Sequence, residues 1–307
     1  MNDPQNVYDF LVIGAGCGGA SGAMYATRLN LKTAIIGEMP GGLISTTSDV
    51  ENWPGIKKIN GADLGMSILD HAMSFGATFI NEKVLEIVKV ESEFEVKTAS
   101  RSYFARTVLF ATGTSHAELG VPGEKEFAAK GVSYCALCDA GFYKEKVTAI
   151  VGGGDAAAKE ALILAEKAAK VYLIVRRDIL RAVPANAERI KGNPKIEIKY
   201  NSQVAEIIGS AKVEKIKLVS GEELAIDGLF VAIGHSPVSG IAEKLGVELN
   251  ESKEIKINRK CETNIPGVFA AGDVCDNELK QAIVAAAQGV TAAFGAFEYL
   301  KKNKVVL

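Results

Sequence analysis

The chain has few of the residues that build metal centres and disulfide frameworks. Its 307 residues include three histidines, one tryptophan and five cysteines. His71, His116 and His235 are scattered, and only one pair of cysteines lies close in sequence. No charge sign dominates: a formal net charge of −2 argues against a general affinity for nucleic acid or an acidic membrane. No apolar run approaches the roughly 20 residues that span a bilayer. Met1–Asn6 is polar and lacks the basic start of a signal peptide. Cysteine usage of this kind fits a reducing compartment, so a cytoplasmic protein is expected. Length and an ordinary hydrophobic share allow two domains, each with its own core. Glycine, at 31 residues, is more frequent than average, and the excess sits in tight loops.

The close pair is Cys135-Ala136-Leu137-Cys138, followed directly by Asp139. Two thiols at this spacing can close a small, easily reopened disulfide ring. The carboxyl next to them can deliver or remove a proton. The same spacing is also half of a zinc hook. A zinc site needs a second pair, and Cys17, Cys261 and Cys275 form none, so the spacing favours a redox pair.

Tyr8–Ile13 has strand character and runs into Gly14-Ala15-Gly16-Cys17-Gly18-Gly19. A helix is expected over Ala20–Leu29, a second strand over Thr33–Ile36, and Glu38 follows 19 positions after Gly19. This is a dinucleotide-binding pattern. Gly14 makes the turn, Gly16 lets the backbone approach a pyrophosphate, and Gly19 lets helix and strand pack closely. The helix N-terminus faces the phosphates, and Glu38 accepts from ribose hydroxyls. Cys17 reads as a small buried residue, and Trp53 as a packing residue. Val84–Val96 and Tyr103 read as a strand meander, and Thr107–Ala111 as a strand entering Thr112-Gly113.

The pattern repeats. Lys146–Val151 leads into Gly152-Gly153-Gly154-Asp155-Ala156-Ala157, a helix to about Ala168, and a strand over Val171–Val175. Where the first copy has an acid, this one has Arg176, Arg177 and Arg181. A 2′-phosphate needs cationic donors where a free ribose needs an acceptor, so the second site should prefer NADPH to NADH. Leu229–Gly234 closes the second copy as Val108–Gly113 closes the first, which points to two related nucleotide-binding domains. Val268–Asp273 and a helix over about Gln281–Leu300 have no fingerprint of their own and are expected to complete the first domain. The expected fold class is α/β, with two Rossmann-like, three-layer domains, the second inserted into the first. The chain crosses near Ser115–Val121 and Ser236–Ala242.

Taken together, these segments resemble the low-molecular-weight thioredoxin reductases along nearly the whole chain. The resemblance rests on Gly14-x-Gly16-x-x-Gly19, Val50–Gly55, Ala111-Thr112-Gly113 and Cys135-x-x-Cys138-Asp139. It continues through Gly152-x-Gly154-x-x-Ala157, Arg176-Arg177-x-x-x-Arg181, Gly234-His235-Ser236-Pro237, Ala271-Gly272-Asp273 and Gln281-Ala282. It implies an FAD-binding domain over 1–117 and 244–307, and an NADPH-binding domain with the redox cysteines over 118–243. For FAD it implies Gly14, Gly16, Gly19, Glu38, Gly42, Asn52, Ala111, Thr112, Gly113, Gly272, Asp273, Lys280, Gln281 and Ala282. For NADPH it implies Gly152, Gly154, Asp155, Ala156, Ala157, Arg176, Arg177 and Arg181.

The implied electron path runs from NADPH through FAD to the Cys135–Cys138 disulfide, and then to thioredoxin or a similar protein. Cys135 faces the partner, Cys138 faces the flavin, and Asp139 handles protons. The resemblance also implies a homodimer, no metal, and rotation of the inserted domain on its two linkers. Val175, Leu43, Lys280 and Ala140 depart from the usual family residues. Other uses of the same fold are a dithiol oxidase that needs no NADPH, a reductase fed by ferredoxin or another nicotinamide, and a non-catalytic FAD module.

Overall fold

The structure, a computed structural model, describes residues 7–47 and 50–303; Met1–Asn6 lies outside them. Its residues fall into two compact units. The first comprises the chain up to Ser45, then Trp53–Ser115 and the chain from Ser236 on; the second comprises Thr46–Asn52 and His116–His235.

The first unit opens with β1 (Val7–Ile13), α1 (Cys17–Arg28) and β2 (Thr33–Ile36). It continues through α2 (Gly61–Ser74), β3 (Thr78–Ile80), β4 (Glu86–Val90), β5 (Glu93–Lys97) and β6 (Ser102–Phe110). The sheet order is β3-β2-β1-β6-β5-β4. β1, β2, β3 and β6 are parallel, whereas β4, β5 and the first half of β6 form an antiparallel meander. Residues along the parallel strands alternate between two buried faces, as a sheet covered on both sides requires. Phe10, Val12 and Leu109 join one core with Leu69, Phe269 and Ala292. Leu11, Ile13, Val108 and Phe110 join the other with Phe94, Ile255 and Val274. Asp9, nearly buried, fastens the strand starts: its carboxylate accepts from Lys32 N at 2.9 Å and Arg106 Nη1 at 2.7 Å.

After β7 (Thr114–His116) the second unit begins with β8 (Val132–Ser133) and α3 (Ala136–Asp139). Next come β9 (Val147–Val151), α4 (Asp155–Lys167), β10 (Lys170–Ile174), α5 (Pro184–Lys191) and β11 (Ile196–Lys199). Then follow β12 (Val204–Gly209), β13 (Val213–Leu218), β14 (Glu223–Ala225) and β15 (Gly228–Val231). The main sheet, β11-β10-β9-β15-β8, is parallel throughout; β12-β13-β14 is a separate antiparallel sheet. Alternation again sets the layers: Ile150, Leu173 and Phe230 pack with α4, and Ala149, Ile174 and Leu229 pack with β12 and β13 residues. The α/β class with two Rossmann-like units is what the fingerprints lead one to expect.

The chain returns to the first unit through β16 (His235–Pro237), which pairs with β7 as a two-stranded ribbon. The second unit closes here, at His235, and the residues up to 243 belong with the first unit. The Ser239 hydroxyl donates to Lys253 O at 2.6 Å, and Ala242, on α6 (Gly240–Leu245), is buried in the first unit's core. β17 (Val268–Ala270) then adds to the second half of β6, and α7 (Ala282–Lys302) packs on α1.

Among the described residues, α7 alone has the length and composition to cross a membrane. Its apolar residues, alanines with Ile283, Val284, Val290 and Phe294, are broken up by Gln288 and Thr291. In this fold α7 is a core helix, with Ala286, Gly289, Ala292, Ala293, Gly295, Ala296 and Leu300 buried. Glycines bring α1 and α7 together: a Cβ on Gly22 would lie 3.0 Å from Gly289 O, and one on Gly289 would overlap Gly18 O. Gly289→Ala gains about 1 kcal/mol of helix propensity but must push two backbones apart, an overpacking cost of about 1–3 kcal/mol. The clash is with backbone, so the cost wins. The variant should melt several degrees lower in thermal unfolding; an unchanged or raised midpoint would refute this account of the helix pair.

Candidate redox and nucleotide sites

Parallel pairing sends the carboxyl ends of neighbouring strands to one edge. In the first unit Ile13 is level with Ile36 and Phe110, and Phe110 is level with Ala270. Gly14, Glu38, Ala111–Gly113 and Gly272–Asp273 therefore leave the sheet at the same edge, where open α/β sheets bind ligands. Gly14 has a φ of +109°, open to glycine at little cost, and its N–H donates to Ile36 O at 2.8 Å. Gly16 bridges to Gly41 and caps α1 without a side chain, and a Cβ on Gly42 would meet Gly16 Cα at 2.5 Å. A Cβ on Gly19 would overlap Gly14 O. The loop is thus a cradle of bare backbone at a helix N-terminus, which fits a pyrophosphate. Glu38 is exposed beyond β2, with Lys83 3.7 Å away. A Cβ on Gly113 would meet open space.

Other expected residues of this set have different surroundings. The Lys280 ammonium donates to Asp273 O and Cys275 O, each at 2.8 Å, and pairs with Glu254 at 2.7 Å. Those three partners match its three donors, so Lys280 braces the Asp273 loop. Thr112 donates its hydroxyl to Val238 O at 2.7 Å. Asn52 is exposed and groups with the second unit. Gln281 is the N-cap of α7, and Ala282 is its first residue. Sequence reasoning missed Gln288 and Asn277. Gln288 Oε1 accepts from Gly272 N at 2.8 Å, and Asn277 Nδ2 donates to Gly272 O at 2.8 Å, so the two amides hold the turn at Gly272.

In the second unit Val151 is level with Ile174 and Val231, and Phe230 with Ser133. The second fingerprint, the arginines and the cysteine turn consequently share one edge. β15 alone separates β9 from β8, so the fingerprint and the cysteine turn are roughly 10 Å apart at two strand spacings. Gly154 caps α4, and a Cβ there would meet nothing within 4 Å. Ala156 is exposed and Ala157 buried. Arg181 N donates to Gly153 O at 2.7 Å, which lays Arg181 along the fingerprint loop.

Asp155, expected to touch the cofactor, is the clip that makes this arrangement. Its Oδ1 accepts from Val183 N at 3.0 Å and Asn186 Nδ2 at 2.9 Å, and Lys159 pairs with it at 3.0 Å. Asn186, Lys159 and the Val183 N–H together lower its carboxyl to about 2. Arg176, Arg177 and Arg181 are exposed. Val175 before them is buried, close under Gly153.

Cys135 and Cys138 are joined as a disulfide, with Cα atoms 5.4 Å apart. Cys135 caps α3, and its Sγ accepts from Cys138 N at 3.2 Å. Among the described residues no group of three or more His, Cys, Asp or Glu side chains is placed to hold a metal ion. Two further residues hold the turn, and sequence reasoning missed both. Ser133 Oγ accepts from Cys135 N at 3.1 Å and donates to Asp139 Oδ2 at 2.6 Å. Glu160 Oε2, on α4, accepts from Ala136 N at 3.2 Å; burial raises its carboxyl, and that N–H offsets only part of the rise. Tyr143 lies in the field of Asp139, and burial, then Asp139 and Asp227, push its phenol up to about 12. A hydroxyl two residues before Cys135 was the one signal available.

The other thiols are inert. Burial pushes Cys17 and Cys261 up to about 11, and Cys275 further still, so none supplies thiolate near neutral pH.

Known proteins share this arrangement. The family model for pyridine nucleotide-disulphide oxidoreductases matches residues 8–289. A thioredoxin reductase of Bacillus subtilis is 39% identical over 99% of this chain and 98% of its own length. An Arabidopsis thaliana protein named NADPH-dependent thioredoxin reductase 3 is 38% identical over 98% of this chain and 60% of its own. The crystal structure of thioredoxin reductase from Streptococcus pyogenes superposes with a TM-score of 0.92 at 37% identity, covering 97% of this chain and 99% of that one. By sequence, fold and the disulfide itself, the chain belongs to the pyridine nucleotide-disulphide oxidoreductase family, among its thioredoxin reductases.

Proposed function

We propose that the protein is an NADPH-dependent flavoprotein that reduces the disulfide of thioredoxin or a thioredoxin-like protein. The observation that carries this reading is the Cys135–Cys138 disulfide at the same sheet edge, in the same unit, as a nucleotide fingerprint flanked by exposed arginines. The relatives' names support the partner, and the Arabidopsis relative's name supports NADPH. FAD would lie on the Gly14–Gly19 cradle, with Glu38, Gly42, Ala111–Gly113, Gly272 and Asp273 around it. When bound, it supplies two-electron exchange between a nicotinamide and a disulfide. NADPH would lie on Gly152–Ala157, with Arg176, Arg177 and Arg181 on its 2′-phosphate. The reading extends to a homodimer in the reducing cytoplasm. It also includes rotation of the second unit, which must present two places on one edge to the same flavin.

The residues of the turn divide the work. Once the disulfide is open, the Cys138 N–H favours a thiolate on Cys135, which makes Cys135 the attacking sulfur. Its attack breaks the partner's S–S bond and forms a mixed disulfide, and the displaced partner thiolate takes a proton from the Asp139 carboxyl. Cys138 returns a proton to Asp139 and attacks Cys135 Sγ. The Cys135–Cys138 bond re-forms, and the partner's second sulfur leaves as a thiolate that takes its proton from water.

Anaerobic addition of NADPH, then of thioredoxin, tests the whole path: flavin bleaching with no electron transfer to thioredoxin would overturn it. Cys138→Ser should keep flavin bleaching and lose turnover, while a mixed disulfide with thioredoxin accumulates on non-reducing gels. Cys135→Ser should give no such adduct, and an adduct of equal yield would reverse the two roles.

The arginines generate a separate expectation. Each charge-assisted bond to a phosphate contributes about 1.5–3 kcal/mol. Arg176→Ala or Arg177→Ala, each alone, should therefore raise the KM for NADPH by about 10–100-fold, with little change in turnover with NADH. An equal loss with both nucleotides would remove the 2′-phosphate assignment.

A further inference from the structure

We infer that Ser133 is a positioning residue of the redox turn, setting where Asp139 titrates and fixing the backbone of Cys135 through one hydroxyl. Ser133, at the end of β8, is 7% exposed. Its hydroxyl is committed on both sides, accepting from Cys135 N at 3.1 Å and donating to Asp139 Oδ2 at 2.6 Å. A hydroxyl has one donor and two acceptor positions. It can donate to the charged carboxylate, or accept from the protonated acid while still accepting from Cys135. Ser133 therefore suits both protonation states of Asp139, and it biases the pair toward the charged one, because a bond to a carboxylate oxygen is the stronger of the two.

Other titratable groups lie around Asp139. Tyr143, on the turn that follows α3, keeps its proton and has the Lys146 ammonium 5.6 Å above its ring. Asp227, which adds to the field at Tyr143, holds Val147 N at 3.0 Å. Glu160, across on α4, accepts from Ala136 N. Cys135 and Cys138 lie on the turn itself and carry charge only when reduced. The inference rests on the role proposed above for Asp139 in proton handling, and one arm of its test does not.

That arm is the titration of Asp139 in the FAD-loaded protein, read as the carboxyl infrared band that Asp139→Asn removes. Ser133→Ala deletes the donor, so the carboxylate loses a stabilising bond and the titration moves up. A bond to a charged group of about 1.5–3 kcal/mol corresponds to about one to two pH units. Ser133→Thr should restore the original position. The isosteric pair Ser133→Thr and Ser133→Val makes the same comparison if the alanine variant loads flavin poorly.

The second arm is the pH profile of thioredoxin reduction, whose Asp139-dependent limb should move up with the titration in Ser133→Ala and return in Ser133→Thr. An unmoved titration in Ser133→Ala or Ser133→Val overturns the inference, as does an equal shift in Ser133→Thr. If the titration moves but the wild-type protein reduces no thioredoxin at any pH, the proposed function fails and the role of Ser133 stands.

Discussion

Parallel strand pairing is the constraint on which the chemistry of this protein depends. A parallel strand delivers its chain to the same edge as its neighbours, whatever lies between them in sequence. In the first unit this gathers Gly14, Glu38, Ala111 and Gly272 from four strands. In the second it gathers Gly152, Arg176 and the turn after Ser133. The antiparallel parts, β4-β5 and β12-β13-β14, supply core and cover and none of the site residues. Short β8, paired to β15 through Val132 and Ser133, decides that the thiols sit at the nucleotide edge instead of at the opposite one.

Burial then separates one pair of sulfurs from the other three. Cys17, Cys261 and Cys275 are enclosed by apolar side chains, and desolvation holds them as thiols. Cys135 and Cys138 are half-buried on a turn whose amides point inward, with the Cys138 N–H on Cys135 Sγ. Five cysteines could exchange disulfides among themselves if all were reactive. Here only the pair at the sheet edge has the means to form thiolate, so electrons have one exit.

Much of this was legible in the sequence, because glycine spacing encodes a turn followed by a helix start, and the apolar run before it encodes the strand. The replacement of an acid by arginines after β10 was visible for the same reason. The rest depended on partners distant in the chain. The contact of Gly272 with Gln288 requires α7 to lie alongside the loop. Lys280 was expected on the flavin side, and it also pairs with Glu254, a residue that only packing brings near. Asp155 occupies a fingerprint position, yet its bonds run to Val183 and Asn186, about thirty residues downstream. The second unit ends at His235, just before the Ser239–Lys253 bond within the first unit, which has no local signature.

α4 links the nucleotide fingerprint to the cysteine turn. It begins at the fingerprint, where Asp155 clips the segment carrying Arg181, and within two turns it presents Glu160 to the Ala136 amide. Burial disfavours charge on Glu160, but either protonation state retains a carbonyl-type oxygen that can accept that N–H. The turn is therefore anchored at two points, Ser133 on β8 and Glu160 on α4, and neither anchor involves the S–S bond. Opening the disulfide removes one covalent link and leaves both anchors, together with the bond from Asp139 N to Cys135 O at 3.2 Å. A dithiol held in this way pays less entropy to close again than two thiols on a free loop. Repeated opening and closing is what a redox turn must survive, and the scaffold that permits it is the helix that starts at the nucleotide site.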